Sequence, residues 1–172
     1  MSYTRFGLMI LTSTVVMFGL MYLNTYAWEH VFSSETRTYM AIFMGATMAV
    51  IMLAYMLGMY SNKGLNIAIF AGAVVVFGVA RWLVRSQVTV SGESYMRAMI
   101  PHHSIAILTS SRAEISDVRV RELADEIIAA QKREIEEMNW LISDIDENGK
   151  ARTAEEAAAR PVPEFTAEDY DA

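Results

Sequence analysis

The sequence predicts an all-α protein in two parts: a three-span transmembrane region and, after it, a helical hairpin outside the membrane. Two observations carry this. The chain of 172 residues is 53% hydrophobic with a mean hydropathy of +0.25, more apolar than an ordinary soluble domain, and the excess lies in three long stretches of the first half. In the second half, apolar residues recur at three and four positions, the spacing of one helix face.

The first stretch, about residues 6–28, carries no charge until Glu29 and is long enough for the roughly 30 Å hydrocarbon core of a bilayer. It exceeds the apolar region of a cleaved signal peptide, usually about 7–15 residues, so an uncleaved helix is expected. The second runs over about 39–60 and the third over about 66–84, where Arg81, Trp82 and Arg85 can snorkel to the interface. Residues 1–86 thus form the transmembrane region. Three crossings put the loop holding Glu29, His30, Glu35 and Arg37 on the same side as the C-terminal part, although basic residues flank both faces and leave the orientation open by charge.

Within the second span, Met40, Met44, Met48, Met52 and Met56 fall at steps of four, followed by Met59. Such a ridge can pass a soft cation along thioethers, or it can be flexible packing against neighbouring helices. Small residues at Gly45 with Ala49, and at Ala68 with Gly72, predict close helix approach.

Residues 87–149 form the hairpin. Gln87–Gly92 is a short linker, Ser91 or Gly92 caps a helix from near Glu93 to about Glu114, and Ser116 or Asp117 caps the next. That helix has the clearest stripe: Val120, Leu123, Ile127, Ile128, Ile135, Met138, Ile142 and Ile145, ending at Asn148-Gly149. Beyond it, residues 150–172 are an acidic tail expected to be flexible, with a capping box at Thr153–Glu156 opening a short helix before Pro161.

Cysteine is absent, which excludes disulfides, thiolate zinc and iron–sulfur ligation. The net charge is −6, yet residues 1–85 carry five basic groups against two acids. The remainder is therefore strongly acidic, which argues against nucleic acid and suits cations.

Chemistry concentrates at Met96-Arg97-Ala98-Met99-Ile100-Pro101-His102-His103. Met99, His102 and His103 sit three and four apart, with Met96 one turn earlier, so thioethers and imidazoles can converge on one side of a helix. This soft set suits copper, Cu(I) above all. Pro101 is expected to loosen the helix between them. On the facing helix Gln131 and Glu134 interrupt the stripe, where they can bond the histidines; Glu134 can hold a histidine in the tautomer that leaves its other nitrogen free, and Met138 can add a sulfur.

The run Tyr95 to His103, then Ala106-Ile107, Leu123-Ala124, Ile127-Ile128, Gln131, Glu134-Ile135 and Met138, resembles the family catalogued as domain of unknown function 305, over roughly residues 93–145. The resemblance implies a ferritin-like helical bundle domain, commonly extracytoplasmic, with some members binding copper or silver and associated with metal resistance. Carried over, the metal positions are Met96, Met99, His102, His103 and Met138, with Gln131 and Glu134 supporting them. The family often has a methionine six after the second histidine, where this chain has Thr109. Paired Glu-x-x-His motifs for a di-iron site are absent. By the family's usual compartment, the domain is expected in the periplasm of a bacterial-type inner membrane.

The expected function is a membrane-anchored copper or silver binding protein for sequestration, resistance or delivery, without turnover of its own. The alternative is a small accessory or assembly subunit of a membrane complex, in which His102, His103 and Glu134 form a structural polar network. An enzyme using Glu134 and a histidine as acid and base lacks any supporting nucleophile or phosphate motif. Two helices make half a four-helix bundle, so a homo-oligomer or packing on the membrane half is expected.

Overall fold

The computed structural model describes residues 2–171, and among them the regular elements are all helices, joined by turns and loops. The chain divides into two compact units: one runs up to Leu23 and over Ser33–Val90, and the other comprises Asn24–Phe32 with the chain from Ser91.

The first unit holds α1 (Tyr3–Leu20), α2 (Glu35–Tyr55) and α3 (Lys63–Ser86), each long and apolar enough to cross a membrane. All three start three or four residues earlier than hydropathy suggests, because Ser2, Ser34 and Asn62 accept hydrogen bonds from backbone N–H groups in the first turn. The first helix also stops well short of residue 28. The Arg37 guanidinium donates to the Met21 carbonyl (3.2 Å) and stacks 4.2 Å over the Tyr22 ring, covering the end of α1. At the far end of α3, Gln87 takes the left-handed conformation (φ 53°) that closes the helix.

Both α1 and α3 pack on α2. At Gly45 an added Cβ would lie 2.5 Å from Thr14 Oγ1, so α1 and α2 approach there as closely as the small-residue spacing predicts. Gly72 is different: it has open space beside it and makes no such approach. Met52 and Met56 pack against the buried Phe6, Leu53 and Tyr60, the filler role of the methionine ridge, while Met59 falls off the helix in a 3-10 turn.

The second unit is built on α4 (Gly92–Arg112) and α5 (Val118–Asn148), an antiparallel hairpin. Ser91 and Asp117 are the N-caps and Gly149, at φ 76°, the stop. The helix α4 continues through Pro101, which is buried. Its core is Met96, Ile100, Ile107, Ile135 and Ile142. Two hairpin helices alone would leave that core half open, and segments distant in sequence cover it: Phe32 from the loop before α2 and Tyr170 from the tail. The predicted stripe is displaced at its start, with Val120 49% and Leu123 55% exposed while Ala124 is buried.

Residues 150–171, expected to be a flexible tail, carry specific contacts. The capping box at Thr153 and Glu156 forms and opens α6 (Ala154–Ala159); Arg160 pairs with Asp144 (2.7 Å), and Lys132 with Asp171.

Candidate functional site

The sequence-predicted residues do not all converge. On α4 the buried stripe runs Met96, Ile100, His103, Ser104, Ile107, and this selects one histidine of the adjacent pair. Neighbours on a helix point about 100° apart, so with His103 turned inward His102 must face out. His102 is exposed, its ring 6.1 Å from that of His103.

A groove of about 450 Å³ between α4 and α5 gathers Met96, His103, Glu134 and Met138, with Tyr95 and Glu137 also in its wall. Four of the seven predicted residues therefore meet there. Met99 contributes its backbone carbonyl, which accepts from His103 Nδ1 at 2.9 Å, and its side chain is not in the groove wall. Gln131 is half-buried and lies outside the groove wall.

The other His103 nitrogen, Nε2, lies 2.8 Å from Glu134 Oε2. Where the sequence left one nitrogen free for a metal, the protein occupies both. A carbonyl can only accept, so Nδ1 is the donor to Met99, and Nε2 is turned to the Glu134 carboxylate. Among the described residues no three His, Asp or Glu side chains gather as a metal-ligand group. The donors that do gather are two thioethers and one imidazole beside carboxylates. Glu137, which the sequence reading passed over, was legible as the residue three after Glu134, one turn along the same face.

A second polar cluster lies one residue further along α4. Ser104 is fully buried and its Oγ accepts the Tyr26 backbone N–H at 2.7 Å. The same Oγ lies 2.8 Å from His30 Nδ1, and His30 Nε2 lies 3.5 Å from the Tyr170 hydroxyl. Burial holds the His30 imidazole below its ordinary range, opposed by the nearby Glu29. Burial likewise pushes the Tyr170 hydroxyl up to about 12, helped by Tyr26 and Glu29. The signal in the sequence was a serine between Ile100 and Ile107 in an apolar stripe, since a polar side chain there needs a partner.

Residues 92–168 match the family described as Domain of unknown function (DUF305). An uncharacterized protein of Acanthamoeba polyphaga mimivirus is 32% identical over 108 residues, which cover 62% of this chain and 69% of the relative. No solved structure matches the chain.

Proposed function

Because the chain belongs to the family of domain of unknown function 305, through residues 92–168, we propose that it is a membrane-anchored protein that binds a soft monovalent ion, Cu(I) or silver, as cargo for sequestration, resistance or delivery. The observation that carries this is the groove that brings the Met96 and Met138 side chains beside the His103 imidazole and the Glu134 carboxylate. Thioether and imidazole are the donors a soft ion prefers. A bound ion would take His103 Nε2 as its nitrogen ligand in place of the contact with Glu134. Glu134 then positions or joins the ligand set and balances the charge. In this reading the domain is ferritin-like in kind and faces the periplasm, with α1 to α3 as its anchor; Asn24–Phe32, being part of the same unit as the hairpin, shares its side.

The test is Cu(I) titration of the detergent-purified full chain against a competing chelator. Binding of about one ion per chain is expected for a single cluster of soft donors. Met96→Leu with Met138→Leu keeps apolar volume and removes both sulfurs, so it should abolish tight binding, as should His103→Gln; His102→Ala should bind as wild type. Tight binding that survives the loss of both sulfurs would sink the assignment.

A second reading is favoured by a specific observation: both His103 nitrogens are already satisfied within the protein. In that case the His103–Glu134 pair is a structural link between α4 and α5, and the protein is an accessory subunit of a membrane complex. Co-purification of a stoichiometric partner, with no metal bound, distinguishes it.

A further inference from the structure

The membrane unit contains a groove that the hairpin's proposed chemistry does not use. Its floor is α2, at Gly45, Ala46 and Ala49, and its walls are α1 and α3; its volume is about 600 Å³. Among the described residues the side-chain hydrogen bond that ties the walls lies at one end, where the Tyr3 hydroxyl donates to Asn66 Oδ1 (2.8 Å) and the Tyr3 and Tyr60 rings meet at a tilt, 4.8 Å apart. Away from that end the groove opens between them. We propose that it holds one acyl chain of an anionic phospholipid, whose headgroup lies between Arg5 and Lys63.

Three features select this occupant. The lining is almost wholly apolar, and such a space cannot stay empty in a membrane without losing packing contacts. On α1 it runs from Tyr3 to Thr14, about 16 Å at roughly 1.5 Å per residue, close to one leaflet of a hydrocarbon core of about 30 Å. A fourth helix, from a second copy, would need a groove through both leaflets; a lipid tail needs one. Lastly, the tied end is basic. Arg5 lies two residues after Tyr3, Lys63 begins α3 next to Asn62, both are exposed, and neither has an ion-pair partner among the described residues. No Asp or Glu occurs before Glu29 or between Glu35 and Glu93, so nothing in the three spans opposes an anionic headgroup there.

This rests on α1 to α3 crossing the membrane, which is checked separately by alkaline carbonate: release of the protein refutes the spans, not the groove. The test itself uses the full chain in detergent, stripped of lipid, then offered phosphatidylglycerol or phosphatidylcholine and weighed intact by native mass spectrometry. Retention of a single phosphatidylglycerol is expected. Gly7 and Gly72 both line the groove, and an added Cβ at either meets nothing within 4 Å. Gly7→Leu with Gly72→Leu therefore fills the space without pressing on a neighbouring helix, and should remove most of the bound lipid at unchanged helicity. Arg5→Gln with Lys63→Gln should equalise the two lipids. Undiminished retention in the glycine pair overturns the proposal, and so does a wild-type dimer that the glycine pair converts to monomer with no lipid retained by either, which would seat a second copy in the groove.

Discussion

Both units bury a small apolar core, Phe6, Leu53 and Tyr60 in the first and Ile100, Ile107 and Ile135 among others in the second, but they differ in what they leave outside. In the membrane unit large side chains point outward, with Leu11 60% and Val74 63% exposed, whereas in the hairpin unit Ile100 and Ile135 have no exposure at all. One sequence thus answers two solvents. In α1 to α3 apolar residues run all round each helix because the surroundings are as apolar as the interior, and small residues, a few polar pairs and the Phe6–Leu53–Tyr60 cluster fix the contacts. In α4 and α5 water makes the seam the only favourable place for them, so a few buried residues carry the fold.

The sharpest way to break that comparison is to truncate one residue of each kind. Ile135→Ala should cost about 2–5 kcal/mol of hairpin stability, measured by thermal and chemical denaturation of the full chain in detergent. Val74→Ala on the outer face of α3 should cost about 0.5 kcal/mol or less. Similar losses in the two would show that the outward residues of the first unit are packed rather than lipid-facing.

Ser104→Ala tests whether the second unit depends on the loop before α2. It orphans the Tyr26 N–H and His30 Nδ1 in a buried place, for an expected loss of about 1–3 kcal/mol. Faster amide exchange at Tyr26 should accompany it, with α1 to α3 unaffected. Unchanged exchange would mean that Phe32 and the His30–Tyr170 contact hold the loop without Ser104.

The smallest effect is a pH slope confined to the second unit. His30 sits below its ordinary value in the folded chain, so the unfolded chain binds the proton more readily. Its contribution is complete above the ordinary value of 6.5 and is lost progressively as pH falls below it. Glu29, Glu136 and the Tyr26 and Tyr170 hydroxyls surround this cluster, and Glu136 is itself raised by burial, then by Glu29 and Asp169. Melting of the wild type from pH 7 to pH 5 should show the decline, and His30→Gln should flatten it. An equal slope in both would assign the decline to the carboxylates instead.

Much of this architecture was legible beforehand. The three apolar stretches, the hairpin, the caps at Ser91, Asp117 and Gly149 and the Thr153 capping box all follow from local rules, since a cap or a helix period involves residues within a turn of each other. The candidate groove was legible in its residue types and in the pairing of Glu134 with a histidine. Its membership was not. Adjacent histidines differ by about 100° of helix rotation, and the phase is set by where α5 packs, not by the dipeptide.

The sequence by itself determined the number and kind of helices, the caps of the hairpin helices, the apolar character of the first half and a set of soft donors on α4. Only the tertiary structure decided that His103 rather than His102 enters that cluster with both nitrogens engaged. It alone joined His30 to Ser104, 74 residues away, and set the Tyr170 hydroxyl against His30, 140 residues away. The physical reason is one of range: periodicity fixes which side chains share a face, but partners so far apart leave no local pattern, and only the need to cover the open side of a two-helix core brings Phe32 and Tyr170 onto it.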